Sequence, residues 1–116
     1  MNSESEIINW EQFDSITDNG APDFMDIYQD FMDASPGLFE SLKAAIQSQD
    51  SKAATSFAHQ LKGSAANFGF VGVSEGAAVV ETAARSGDFS RAITAFDQAW
   101  SAFGIGCEQV AAKYPS

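Results

Sequence analysis

The segment AHQLKGSAANFGF, Ala58 to Phe70, holds the only histidine of the chain, His59, with Lys62 three residues on and Gly63 four residues on. A neutral imidazole is a good nucleophile near pH 7, because its ordinary pKa is about 6.5. Residues three and four apart on a helix are neighbours, so an ammonium stands beside anything the ring binds. That neighbour opposes a histidinium and favours an anion. Gly63 costs a helix about 1 kcal/mol relative to alanine, and the close approach of another backbone is the reason that fits. The chemistry this set suits is acceptance of a phosphoryl group on a ring nitrogen, with Lys62 helping to hold the phosphoryl oxygens. The chain has no glycine loop to cradle phosphates, no carboxylate cluster beside His59 for magnesium and no nucleotide site. A donor must therefore bring both metal and phosphoryl group, and dock.

The helix that carries these residues is predicted over about Ser51 to Phe68, with Ala54, Phe57, Ala58, Leu61, Ala65 and Phe68 as its buried stripe. At 100° per residue, His59 lies about 160° from Leu61, nearly opposite that stripe. Lys52, Thr55, Ser56, Lys62, Gly63 and Ala66 share its outer face. An exposed histidine alone is usually a plain surface residue. A cation one turn on, and small residues at Gly63 and Ala66, make instead a flat platform around a nucleophilic ring.

Four further helical segments surround it. Trp10 to Ile16 forms a short first helix with Asn9 as cap, closed by Gly20, Ala21 and Pro22. Pro22 suits the first turn of the next, whose stripe is Phe24, Ile27, Phe31 and Ala34. Ser35, Pro36 and Gly37 predict a kink or short break, after which Leu38, Leu42, Ala45 and Ile46 carry the stripe to about Asp50. Gly69 is a stop signal for the histidine helix. A fourth helix begins near Val73 or Ser74, turns Val73, Ala77, Val80 and Ala84 inward, and ends at Ser86 and Gly87. The last opens on Asp88, and Phe89, Ile93, Phe96, Trp100, Phe103, Cys107, Val110 and Tyr114 form a heptad seam expected to be core. Gly104 and Gly106 weaken that helix without a reason visible in the sequence. Amphipathic helices joined by short connections pack as an antiparallel bundle. The fold class is therefore all-α.

The 116 residues suit one domain spanning the chain, after a polar leader over about 1–8. With 45% hydrophobic residues the chain can bury a core. No apolar run reaches the roughly 20 residues of a membrane span, and no secretory signal is visible. A single cysteine, Cys107, cannot form an internal disulfide, so the expected location is cytoplasmic. The net charge of −10 is one-sided: ten acids and no base lie between Glu4 and Glu40, then six acids balance six bases. Nucleic acid and anionic membranes are poor partners for such a chain. The acids make either a solvated face or a surface that steers toward a basic partner.

The run HQLKGSAANFG resembles the signature of histidine-containing phosphotransfer (HPt) domains, which pass phosphoryl groups between receiver aspartates in multistep two-component relays. The likeness extends over roughly Trp10 to Lys113, through AAIQSQDSKAATSFAHQLKG before the histidine and ARSGDFSRA into the last helix. The resemblance implies an antiparallel four-helix bundle with an additional short N-terminal helix over one end. It implies His59 as phosphoacceptor and Lys62 as stabiliser of the phosphoryl group, with Gly63, Gln60 and Ala66 meeting the partner. Ser64, Glu81 and Arg85 would stand around that centre. Some members carry a glutamine on the next helix that orients the imidazole or its phosphate. The matching position here is Glu81, where a carboxylate repels phosphate unless turned away or paired, as with Arg85 four residues on. The implied partners are receiver domains of a hybrid sensor histidine kinase or of response regulators. The implied chain is monomeric, needs no cofactor of its own, and relies on Mg2+ held by the receiver.

Three rivals compete with this reading. A non-catalytic helical adaptor explains the bundle but leaves Lys62 and Gly63 beside an outward histidine without a purpose. A di-iron bundle enzyme needs Glu-x-x-His pairs, whereas Ser56 precedes His59 by three residues. An autophosphorylating kinase needs a nucleotide domain for which there is no room. The expectation is thus a phosphorelay carrier without kinase activity, and Met1 followed by a polar leader favours a free-standing protein.

Overall fold

Side-chain caps open three of the five helices in the computed structural model, which describes residues 6–115. Asn9 accepts the Gln12 amide at the start of α1 (Trp10–Ile16), Asp50 the Ala53 amide at the start of α3 (Ser51–Asn67), and Asp88 the Arg91 amide at the start of α5 (Phe89–Lys113). Such caps satisfy amides that a helix start leaves bare. α2 (Pro22–Gln47) opens instead with proline in its first turn, and α4 (Val71–Arg85) follows the Gly69 turn, where φ is +73°. Among the described residues there is no strand, and no helix is long and apolar enough to cross a membrane.

Three-residue connections reverse the chain between α2, α3, α4 and α5. Each packs on the next, and α2 closes against α5, giving a four-helix bundle. α1 covers one end of it. The Asn9 amide donates to Gly69 O at 2.7 Å, Gln12 Nε2 to Asn67 O at 2.8 Å, and the Gly72 amide to Ile7 O at 3.2 Å. From the other side, Asp14 accepts from Lys113 Nζ at 2.9 Å and from the Tyr114 hydroxyl at 2.6 Å. The two ends of the core differ. Under α1 it is aromatic, with Phe31 stacked on Phe68 at 4.8 Å between centroids and Phe13 edge-on to Tyr28 at 5.2 Å. Toward the far end it is built from alanine, including Ala54, Ala58, Ala84, Ala92 and Ala95, all buried.

Several sequence expectations need correction. The polar leader is shorter than expected, since Ile8 is fully buried; residues 1–5 of it lie outside the described residues. α2 runs unbroken through Pro36. The proline cannot donate to the Met32 carbonyl, a loss of order 3 kcal/mol in a helix interior, yet Phe31, Phe39 and Leu42 are buried on either side and hold the helix together. Ser35 is buried with them and donates its hydroxyl to Phe31 O at 2.7 Å. The core stripe of α2 is Tyr28, Phe31, Ser35, Phe39 and Leu42, while Phe24 and Ile27 stay 43% and 47% exposed. α4 begins at Val71, two or three residues before the expected Val73 or Ser74.

The heptad seam of α5 is only one edge of its buried face. Trp100 remains 47% exposed, whereas Ala92, Ala95, Ala99, Ala102 and Gly106 are buried. Small residues win because α4 comes close: a Cβ on Gly76 would stand 2.9 Å from the Ala99 Cβ. Gly106 has a similar reason, since a Cβ there would stand 2.7 Å from the Phe70 ring. Nothing in the structure explains Gly104.

Candidate functional site

Ala54, Ala58, Leu61 and Ala65 bury one side of α3, and this fixes what the opposite side presents. His59 stands there with its side chain 69% exposed. Lys62 is half-buried one turn on, and Gly63 and Ala66 are exposed. A Cβ placed on Gly63 would meet nothing within 4 Å. No packing among the described residues requires a glycine at that position.

The second wall comes from α4. Ala77, Val80 and Ala84 bury that helix against its neighbours, and Glu81 lies on the same stripe with its side chain only 10% exposed. A buried carboxylate is costly unless paired and hydrogen-bonded. Glu81 meets three donors. Lys62 Nζ lies 2.8 Å from Oε1, while His59 Nδ1 and Arg85 Nη2 each lie 3.1 Å from Oε2. The hydrogen bond from Lys62 is the main cause that holds the Glu81 carboxyl below its usual range, against its burial. The sequence suggested repulsion, or a pairing with Arg85 alone. The carboxylate instead ties α3 to α4 and touches the imidazole itself. A signal for this was present: Glu81 is four residues after Ala77 and three before Ala84, so it falls on the apolar stripe.

The Glu81 contact settles the ring's tautomer. An ionised carboxylate only accepts, so Nδ1 must carry the hydrogen that faces it. The unprotonated lone pair is then on Nε2, across the ring, for which no protein hydrogen-bond partner occurs among the described residues. His59 also lines an open depression of about 640 Å³ with Ser51, Lys52, Thr55, Ser56, Gln60, Glu81 and Arg85. Lys52, Lys62 and Arg85 outnumber the single Glu81 carboxylate around the ring. In a chain of net charge −10, this patch has a local cationic surplus suited to an anion.

The remaining residues are not all gathered at the ring. Gln60 lies on the border between this depression and a groove bounded by α2 and α3. Ser64 lines that groove and turns its hydroxyl back to Leu61 O at 3.2 Å, away from the imidazole. No cluster of three His, Cys, Asp or Glu side chains able to hold a metal occurs among the described residues.

Comparison with known proteins agrees with this geometry. No curated protein matches the chain. The family model described as the Hpt domain matches residues 26–112, about three quarters of the sequence, and its span includes His59, Lys62, Gly63 and Glu81. With a helical bundle that presents one histidine outward beside a lysine and a glycine, the chain belongs to the Hpt domain family of phosphorelay carriers.

Proposed function

We propose that His59 accepts a phosphoryl group from a receiver-domain aspartate and passes it to the aspartate of another receiver. The observation that supports this best is the ring's division of labour: Nδ1 is held by Glu81 at 3.1 Å and the exposed side carries Nε2. The Nε2 lone pair attacks phosphorus, an N–P bond forms, and the P–O bond to the receiver's aspartate breaks. The aspartate leaves as a carboxylate. As the ring becomes cationic, the Glu81 carboxylate on Nδ1 balances the new charge. Lys62 and Arg85, both within reach of Glu81, supply positive charge next to the incoming phosphoryl oxygens. Return of the group reverses each bond change. Gly63, with Gln60 and Ala66 beside it, leaves room for the receiver's backbone.

This carrier needs no cofactor of its own, since the Mg2+ expected in the reaction belongs to the receiver. We infer a monomer working in the cytoplasm, where the free Cys107 would meet a reducing medium. The test is incubation with acetyl-phosphate-loaded receivers from the same genome. The chain should acquire an acid-labile, base-stable label that His59→Gln abolishes, with the melting temperature within a degree or two of the parent because the side chain is exposed. Undiminished labelling of the variant would sink the assignment.

A further inference from the structure

A cleft of about 380 Å³ opens between α2 and α5 and shares no lining residue with the depression around His59. It gathers sulfur. The chain has three methionines and one cysteine, and Met25, Met32 and Cys107 all line this cleft. Each is half-buried. Met25 and Met32 lie two turns apart on one face of α2, about 10 Å along the axis. Methionine is long and unbranched, so the two thioethers can close on one atom from either end, with Cys107 across from them on α5. Tyr28, between them on α2, is 4% exposed. Its hydroxyl oxygen is buried and has no hydrogen-bond partner. The group beside it is the Cys107 thiol, which accepts a hydrogen bond only weakly. A buried donor left unmade is costly, and a thiolate would satisfy it, because a charged acceptor bonds more strongly. Among the described residues that line the cleft none is basic and one, Asp26, is acidic. A cation, not an anion, suits it.

We propose that Met25, Met32 and Cys107 form a site for a soft monovalent metal ion, Cu(I), held by two thioethers and one thiolate. Soft sulfur ligands select Cu(I), whereas magnesium, calcium and manganese prefer oxygen. On binding, the Cys107 S–H bond breaks, an S–Cu bond forms and the proton goes to water; copper keeps its oxidation state. The Tyr28 hydroxyl then donates to the thiolate sulfur, as outer groups do around metal ligands. The ion joins α2 to α5 and leaves the His59 face untouched. This site goes beyond the carrier reading and does not rest on it.

The test titrates the full chain, reduced and free of oxygen, with Cu(I) against the competing chelator bathocuproine disulfonate. Ag(I) serves as a second probe that cannot change oxidation state. One equivalent should bind and raise the melting temperature, as a ligand of the folded state does. The double variant Met25→Leu, Met32→Leu keeps the packing volume and should lose that rise, as should Cys107→Ser. Tyr28→Phe should weaken Cu(I) binding by about tenfold, the scale of a lost outer-shell partner. His59→Gln should bind as the parent does. Parental affinity and an unchanged melting rise in the methionine double variant would show a bare thiolate adduct and overturn the proposal. Loss of binding in His59→Gln would move the ion to the imidazole, and an equal melting rise with Zn(II) would deny the site its soft character; either result overturns it. So does a parent that fails to compete with the chelator for one equivalent.

Discussion

Two carboxylates each tie together helices distant in sequence, and they do so for different ends. Asp14 on α1 accepts from Lys113 and Tyr114 at the end of α5, and Lys113 also lies over the Trp10 ring at 4.4 Å. Burial works to raise the Asp14 carboxyl, but the hydrogen bonds from Tyr114 and Lys113 prevail and hold it below its usual range. Both oxygens of Asp14 are taken up by the contact, Oδ1 by Tyr114 and Oδ2 by Lys113. Glu81 is likewise held low, by Lys62 first and His59 after it. One of its partners, however, is an imidazole with a second nitrogen left over and open space at Gly63 next to it. The Asp14 cluster is a latch, while the Glu81 cluster leaves a nucleophile facing solvent. An ion pair therefore says little about function until the spare atoms of its members are counted.

The contrast can be broken most sharply at Gly63. A Cβ there meets nothing within 4 Å, and the longer side chain of a glutamine would stand between the ring and an incoming aspartyl phosphate. Phosphotransfer from a loaded receiver should slow by about 100-fold, the scale that misplacement of about 1 Å produces. Melting should be no lower than for the parent, and Gly63→Ala should gain up to about 1 kcal/mol while transferring at an intermediate rate. Early unfolding with normal transfer would show that the glycine serves packing alone.

A smaller effect separates the two carboxylates directly. Glu81→Ala removes the acceptor for Nδ1–H and should slow transfer about tenfold, the scale of one hydrogen bond to a charged group. Glu81→Gln should restore most of that rate, because an amide oxygen still accepts from Nδ1. Equal rates for both variants would deny Glu81 a role in orienting the ring. Asp14→Asn should leave transfer unchanged and cost about 1 kcal/mol of stability by weakening the latch to Lys113 and Tyr114, as thermal melts can show. The smallest effect is in acid. Both carboxyls titrate lower in the folded chain, so their stabilisation is complete above the ordinary carboxylate range and is lost as pH falls through their lowered folded values. Melting temperature should therefore drop less steeply between pH 5 and 3 in Glu81→Gln and in Asp14→Asn than in the parent.

The sequence by itself determined most of the architecture. Periodic apolar residues on α3 and α4, the caps at Asn9 and Asp88, and the turn at Gly69 are local signals, and the helices they define are the ones observed. The outward face of His59 was legible too, because it follows from where Ala54, Ala58, Leu61 and Ala65 must go. Tertiary structure decided what depends on a neighbour's distance. The close approach of α4 moved the buried face of α5 toward its alanines and Gly106, and left Trp100 exposed. The flanking core carried α2 through Pro36, and the end of the bundle drew Ile8 and Phe13 inside. Above all, it brought Glu81 from α4 to the ring of His59 on α3. Helical spacing fixes the angle of a side chain about its own axis, but only the packing of two axes decides which side chains on different helices meet.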